Sequence, residues 1–367
     1  MKGKAILLVI VILGIIGAIA YIESTKPDFS EEPAPVIVPG ATTPSAPALD
    51  DMALEEKRAN YLAAPEIIPT GEWLNTEPLS IAGLRGKVVL VDFWTYSCIN
   101  CIRTLPYLKD WHAKYADAGL VILGVHTPEF KFEQDIENLK KAVAKYEIEY
   151  PVVQDNEYRT WRAYKNRFWP RKYLVDIDGF IRYDHIGEGA YAETEQVIQE
   201  LLKEKVERMG ETMDVQKPIT APEGAQSVDY QKVGTPELYF GYTFRRHDGG
   251  NTEGYAAETA VTYAEPVEKA ANIPYVVGTW FNDRDFMRLE SATGTVHLNY
   301  DAKTVNIVAG AEPGSTIEVY VDGTLTQTLA IDEERLYEVI AGDAYGQHRL
   351  ELRISGSGFR IYTFTFG

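Results

Sequence analysis

The chain has 367 residues, 45% of them hydrophobic and 25% charged, with a formal net charge of −18 at pH 7. That length suggests two globular domains with room for non-globular segments. The negative charge argues against a nucleic-acid partner, because phosphate contacts need clustered Lys and Arg side chains.

The N-terminal segment is basic and then apolar. Lys2 and Lys4 precede an apolar run over residues 5–22, which as a helix would measure about 27 Å and could cross a bilayer core. We expect an uncleaved membrane anchor that leaves both lysines in the cytoplasm and the soluble domains outside, in the periplasm or at the cell surface. A cleaved signal peptide over residues 1–22 is the alternative, because Ala18-Ile19-Ala20 resembles a cleavage site.

Composition divides the rest of the chain into four segments. Residues 23–64 are rich in Pro, Ala, Glu and Ser and predict an extended spacer, with order only near 52–61. Residues 65–206 alternate strand and helix patterns, which indicates an α/β domain. Residues 207–234 predict a second linker, and residues 235–367 form short alternating strands.

The α/β segment predicts a central sheet flanked by helices and closed by an antiparallel hairpin. Its continuous apolar runs are typical of buried strands, and its amphipathic stretches repeat with the period of an α-helix. The predicted elements are strands at 87–94 and 120–125, helices from Cys98 and near 131–146, 157–166 and 192–204, and a hairpin formed by strands 172–177 and 180–183 around Asp178-Gly179.

The C-terminal segment predicts an all-β domain. Leu350, Leu352 and Ile354 alternate with charged residues, and Asp322-Gly323 joins two alternating runs in the manner of a tight hairpin. Regularly spaced strands without helices are typical of a β-sandwich.

Cys98 and Cys101 are the two cysteines of the sequence, three positions apart. In an exported chain they provide no disulfide framework, so both are available as a redox pair. They follow a buried strand and open a helix, where free backbone N–H groups and the helix dipole favour a thiolate and lower a cysteine pKa below ~8.5. We expect Cys98 to attack a client disulfide and Cys101 to resolve the mixed disulfide.

Two further interpretations concern the residues around this pair. A zinc site would need two more ligands, and the six histidines show no ligand spacing; we therefore predict no metal, and no cofactor beyond the Cys98–Cys101 disulfide. Asp92 lies in the apolar strand six residues before Cys98, where a buried carboxylate could accept and return the proton of Cys101.

The segment Val91-Asp-Phe-Trp-x-x-x-Cys98-x-x-Cys101-x-x-x-x-Pro106 resembles the active site of the thioredoxin superfamily. With the preceding Gly86-Lys-Val-Val-Leu and a hairpin expected near 77–84, it looks like the TlpA/ResA group of exported reductases. Phe93–Pro106 and Gly124-Val-His-Thr-Pro-Glu-Phe130 look more narrowly like the DipZ-type branch. That branch carries a C-terminal β-sandwich described as carbohydrate-binding-module-like, which the Thr235–Gly241 segment also fits.

The resemblance implies a thioredoxin fold, protein-disulfide reductase activity and a substrate groove. It places Pro170 in a cis peptide bond facing the cysteines, with Trp169 beside it along the groove. The expected client contacts around the pair are Trp94, Tyr96, Ile99 and Asn100.

His126 and Glu129 follow a strand end at the sheet edge where ligands gather in α/β folds, so either could lie near Cys98. Solvated loop positions are the more ordinary interpretation of both residues.

The resemblance also suggests partners. Candidate clients are oxidised exported proteins or apocytochrome c, in cytochrome c maturation or thiol homeostasis. DipZ-type proteins carry a CcdA-like electron-conducting membrane domain, whereas this sequence has one apolar segment. A separate CcdA-like membrane donor is therefore expected to recharge the cysteines.

Two alternative functions remain open at this point. A thiol peroxidase is suggested by Thr95, three residues before Cys98, although Val91 replaces the proline expected four residues earlier. A glycan-binding protein with an accessory redox domain is the other alternative. Its stacking platform in the β-sandwich would consist of Tyr239, Tyr242, Trp280 and Phe281, and a buried Trp280 would contradict it.

Overall fold

The computed structural model describes residues 51–247 and 249–367. The membrane segment predicted for residues 5–22 and most of the predicted spacer lie outside this range. Within the described ranges, no helix combines the length and apolar character needed to cross a membrane.

The N-terminal half is an α/β unit built on a six-stranded sheet with strand order β1-β4-β3-β2-β5-β6. Strand β2 pairs in parallel with β3 and antiparallel with β5. The elements are α1 (Asp51–Asn60), β1 (Trp73–Leu74), β2 (Val88–Trp94), α2 (Ile99–Tyr115), β3 (Leu120–His126), α3 (Ile136–Lys145), β4 (Val152–Gln154), α4 (Arg159–Ala163), β5 (Arg171–Val175), β6 (Ile181–Ile186) and α5 (Tyr191–Met209). This is the predicted thioredoxin-like arrangement.

Strand β2 is buried along its whole length, as its uninterrupted apolar sequence predicted. Alternate side chains serve two cores: Leu90 and Trp94 pack with α2 on one face, and Val91 and Phe93 pack in the cluster on the other. Because strand residues two apart share a face, Asp92 points to the α2 side with Leu90 and Trp94.

Two sequence predictions differ from the structure in detail. The helix expected over 131–146 is split into a 3₁₀ turn at Lys131–Gln134 and α3, because the Asp135 side chain accepts a hydrogen bond from the Glu137 amide at 2.7 Å and caps α3. The hairpin expected near 77–84 is wrong: a 3₁₀ turn occupies Ala82–Leu84.

Helix α1 shows that the end of the predicted spacer is ordered. Lys57 is buried, and its Nζ lies 2.5 Å from an oxygen of Asp178 and 2.8 Å from one of Asp176; it also bonds Glu204. Asp176 and Asp178 follow the end of β5, and Glu204 lies on α5. These ion pairs hold α1 against the α/β unit.

The C-terminal half is all β, as predicted, but its strands form one continuous antiparallel nine-stranded sheet rather than two separate ones. Strand β11 makes this possible, because it pairs with β9 near its start and with β15 near its end. The strands are β7 (Leu238–Tyr239), β8 (Ala260–Tyr263), β9 (Tyr275–Asn282), β10 (Met287–Leu289), β11 (Thr293–Gly310), β12 (Ser315–Val321), β13 (Thr324–Ile331), β14 (Arg335–Ser355) and β15 (Arg360–Phe366).

The hairpin between β12 and β13 turns at Asp322 and Gly323, as predicted. Asp322 and Gly323 both adopt positive φ angles, 51° and 85°, as the two central residues of a tight I′-type turn require.

The two halves belong to one compact unit and share an aromatic junction. The ring of Phe130, from the loop after β3, lies 5.0 Å from that of Tyr362 on β15 and also contacts Tyr239 and Phe244. Phe130 and Tyr362 are almost fully buried. The junction therefore fixes the loop after β3 against the C-terminal sheet.

Candidate active site

Cys98 and Cys101 lie at the start of α2. Cys98 is the N-cap residue, with φ −78° and ψ 116°, and its carbonyl accepts the Ile102 amide at 3.0 Å. Both thiols are free; Cys98 is partly exposed, whereas Cys101 is 1% exposed. A client can therefore reach Cys98 first, and Cys101 waits one turn further along the helix.

Cys101 is held in its protonated form. Burial raises its pKa well above the ordinary value, and the neighbouring Cys98 and Asp92 raise it further. A buried thiol of this kind needs a base before it can attack a mixed disulfide, since the thiolate is the nucleophile.

Asp92 is the carboxylate placed to act as that base. It is 1% exposed, and its Oδ1 has no hydrogen-bond partner among the described residues. Burial raises its pKa to about 7, and the charge of Lys172 moderates the rise. Lys172 is itself fully buried, lies directly opposite Asp92 in the β2–β5 register, and donates to the Gly187 carbonyl at 3.2 Å.

The Trp169–Pro170 peptide bond is cis, as the resemblance implied. The Trp169 indole donates to the Thr127 carbonyl at 2.9 Å and lies 4.3 Å from the Trp161 ring. This contact joins the loop before β5 to the loop after β3.

Three of the predicted client contacts are buried. Trp94 is 0% exposed because it shares the inner face of β2 with Asp92, and Tyr96 is closed off by stacking on His126 at 5.3 Å. Ile99 is also buried. These three side chains therefore offer a client little surface in this structure, and their role as client contacts stays a prediction. Asn100 and Trp169 remain partly exposed.

Glu133, which sequence reasoning did not single out, organises the loop before Cys98. Its buried carboxylate accepts hydrogen bonds from the hydroxyls of Thr95 (2.5 Å) and Ser97 (2.6 Å) and from the amides of Glu129 (2.6 Å) and Phe130 (2.9 Å). Removing this acceptor would leave four donors to find new partners. Glu133 thus holds the cysteine loop and the loop after β3 together.

His126 is buried at the end of β3, and burial lowers its pKa to about 3. Its Nε2 lies 3.3 Å from the Thr95 hydroxyl. A ring that stays neutral at physiological pH supports the cysteine loop by packing rather than by carrying charge.

Glu129 receives a contact from the C-terminal half. The Tyr239 hydroxyl donates to its Oε1 at 2.6 Å, and part of the glutamate remains open to solvent. Burial of its carboxyl and the nearby charge of Glu237 raise the pKa of Glu129 well above the ordinary value, and Cys98 also contributes to the rise.

A second contact between the halves surrounds Asn100. Its Oδ1 accepts from Arg103 Nη2 at 2.7 Å and from the Tyr230 hydroxyl at 3.1 Å. Arg103 is buried and pairs with Glu188, which also bonds Tyr230. Tyr230, residues 233–237 and the end of β15 complete a groove of about 330 Å³ that begins at Asn100.

Sequence reasoning missed residues of two kinds. Lys172 carried a signal, since a lysine inside the strand run Lys172-Tyr-Leu-Val175 is unusual for a buried strand. No comparable sequence signal marked Glu133, Tyr230 or Tyr239, because their roles depend on contacts between segments that are distant in the sequence.

The proposed glycan platform is contradicted by the burial of one member. Trp280 is 0% exposed and packs against Phe359 in the C-terminal core. An aromatic ring without a free face cannot stack on a sugar.

Comparisons with known proteins agree with this description. Residues 63–184 match the AhpC/TSA family, and residues 235–367 match a thioredoxin-like C-terminal domain. Protein DipZ from Mycobacterium bovis is 36% identical over 307 residues, covering 83% of this chain and 43% of DipZ. The chain thus spans less than half the length of that relative.

Two shorter relatives each match about two fifths of this chain. Thiol-disulfide oxidoreductase YkuV from Bacillus subtilis is 27% identical over 38% of this chain and 94% of its own length. Thiol-disulfide oxidoreductase ResA from Bacillus cereus is 26% identical over 40% of this chain and 81% of its own length. The chain therefore combines a domain that matches the AhpC/TSA family and is similar to thiol–disulfide oxidoreductases with a second domain that matches a thioredoxin-like C-terminal domain.

Proposed function

We propose that the protein is a protein-disulfide reductase that works through Cys98 and Cys101. One observation carries the proposal: an accessible cysteine at a helix start is followed one turn later by a buried cysteine whose pKa is raised by burial, Cys98 and a buried aspartate, Asp92. This is the arrangement that a two-step transfer of electrons to a client disulfide needs.

The reaction balances in two steps. The Cys98 thiolate attacks one sulfur of the client disulfide, a mixed disulfide forms, and the other client sulfur leaves as a thiolate that takes a proton. Asp92 then accepts the proton of Cys101, whose thiolate attacks Cys98. The second client sulfur leaves as a thiolate that takes a proton from solvent, and Asp92 returns its proton to solvent. The client gains two electrons and two protons, and the Cys98–Cys101 disulfide remains.

Location and partners complete the proposal. The apolar run at residues 5–22 would anchor the chain with its domains outside the cytoplasm. Clients would be oxidised exported proteins or apocytochrome c, and a CcdA-like membrane donor would restore the dithiol.

The direction of electron flow is tested by the reduction potential of the Cys98–Cys101 pair. We expect a value nearer to thioredoxin, about −270 mV, than to DsbA, about −120 mV. Equilibration in glutathione buffers followed by thiol alkylation measures it. A value close to that of DsbA would reverse the assigned role to that of an oxidant.

Peroxide reduction is the second function to test, because residues 63–184 match the AhpC/TSA family. The Thr95 hydroxyl is fully buried and donates to Glu133, so it does not face the entrance. In the Cys101→Ser variant we therefore expect hydrogen peroxide to oxidise Cys98 no more than about tenfold faster than a free thiol at the same thiolate fraction. Mass spectrometry of the sulfenic acid measures this rate, and a much faster reaction would favour the peroxidase.

A further inference from the structure

Glu129 lies in the loop after β3, which is joined both to the segment before Cys98 and to Trp169. Its amide shares the Glu133 carboxylate with Ser97, the residue before Cys98. The same loop is joined to Trp169, beside the cis peptide bond, through the Thr127 carbonyl. The Glu129 side chain is partly exposed, and the charge of Cys98 acts on its carboxyl group, so the two side chains are neighbours.

The C-terminal half holds the carboxyl group of Glu129 in position. Tyr239 on β7 donates to Glu129 Oε1 at 2.6 Å and also bonds Glu237. The Tyr239 ring is held by Phe130 and Phe244 in the aromatic junction. Glu237 is exposed and lines the groove that begins at Asn100, so protons from solvent can reach the Glu129–Tyr239–Glu237 cluster.

We propose that Glu129 is a further catalytic residue, the general acid that protonates the client sulfur released when Cys98 attacks. This inference rests on the proposed reductase function. The electron pair of the broken S–S bond stays on the leaving sulfur, and the proton of Glu129 moves to it. The products of the step are the mixed disulfide, a client thiol and the Glu129 carboxylate, which regains a proton from solvent.

Asp92 does not serve this step, because it is fully enclosed beside Cys101 and Lys172 on the inner face of β2. Glu129 is partly exposed and lies near enough to Cys98 for that residue to contribute to its raised pKa, which keeps it protonated to a higher pH than an ordinary glutamate. The titratable or charged groups that face it or line its cavity are Cys98, Lys131, Glu133, Tyr158, Glu237, Tyr239, Asp283, Arg284 and Asp285.

The test compares two disulfides in the Cys101→Ser background, where only the first step occurs. Oxidised glutathione releases a weakly acidic alkyl thiol that needs a proton, whereas the aromatic disulfide DTNB releases a strongly acidic thiol that does not. We expect Glu129→Gln to slow the reaction with oxidised glutathione by about 100-fold and that with DTNB by less than about threefold. The exposed Glu200→Gln on α5 is the matched control.

Neighbouring substitutions should move the pH profile in opposite directions. With oxidised glutathione, the rate should decline at alkaline pH as Glu129 loses its proton. Tyr239→Phe removes a donor that lowers the pKa of Glu129, so the decline should move to higher pH. Glu237→Gln removes a negative neighbour, so the decline should move to lower pH.

The outcomes separate the two proposals. If the unsubstituted chain reduces neither disulfide, the reductase function fails. If it reduces both and Glu129→Gln slows both equally, or slows neither, the general-acid role alone is overturned.

Discussion

Cys98→Ala removes the nucleophile, and we expect it to reduce the rate of protein-disulfide reduction by on the order of 10³-fold or more. Cys101→Ser should have a different phenotype. It keeps the accessible thiol of Cys98 but lacks the buried thiol that releases the client. The mixed disulfide should therefore form once per chain and persist, because a serine hydroxyl cannot complete the exchange.

Insulin is a suitable probe client, since reduction of its interchain disulfides makes it precipitate. Non-reducing electrophoresis after acid quenching measures the covalent complex. The double variant Cys98→Ala/Cys101→Ser is the control for non-specific thiol chemistry. A complex that forms through Cys101 in Cys98→Ala would contradict the assigned order of attack.

The thioredoxin-like fold was predictable because its signals are local. Each of three elements is recognisable from a short stretch of sequence: the apolar run of β2, the helix that follows Cys98 and the turn at Asp178-Gly179. The helix expected over 131–146 was inexact because of a single side chain. Asp135 caps α3 and so divides that helix.

The site was less predictable because its geometry depends on distant segments. Asp92 was recognisable from its spacing to Cys98, but Lys172 faces it only through the antiparallel register of β2 and β5. Trp94 lies four residues before Cys98, yet the strand alternation that buries Asp92 also buries its ring. Tyr239 reaches Glu129 across 110 positions of sequence.

Asp92→Asn should slow release of the mixed disulfide by about 100-fold, because an amide cannot accept the proton of Cys101. Asp92 must be ionised to act as a base, and its pKa is raised to about 7 by burial. The release rate of the unsubstituted chain should rise with pH up to about 7 and then level off. In Asp92→Asn it should keep rising with hydroxide concentration. Stopped-flow mixing with a preformed mixed disulfide measures this step.

Asp92→Asn should also raise the free energy of unfolding, because the folded and the unfolded chain hold the Asp92 proton over different pH ranges. Between the ordinary aspartate value of 3.8 and about 7, the folded chain keeps the Asp92 proton while the unfolded chain releases it. The free energy of unfolding therefore falls as pH rises through this window, by up to about 4 kcal/mol from Asp92 alone. Asp92→Asn removes this slope, so its stability relative to the unsubstituted chain should be greatest above pH 7.

Lys172 limits the gain, because Asp92→Asn leaves a buried lysine without its negative neighbour. The double variant Asp92→Asn/Lys172→Met removes both charges. Its free energy of unfolding should therefore regain most of the stability that the unpaired Lys172 costs the Asp92→Asn variant. Urea unfolding at pH 5 and pH 8 provides the measurement, with the exposed Asp117→Asn as the matched control. If the stability of the unsubstituted chain and that of Asp92→Asn change equally between these two pH values, the carboxyl group is ionised throughout. It could then not be the group that takes up the Cys101 proton near neutral pH.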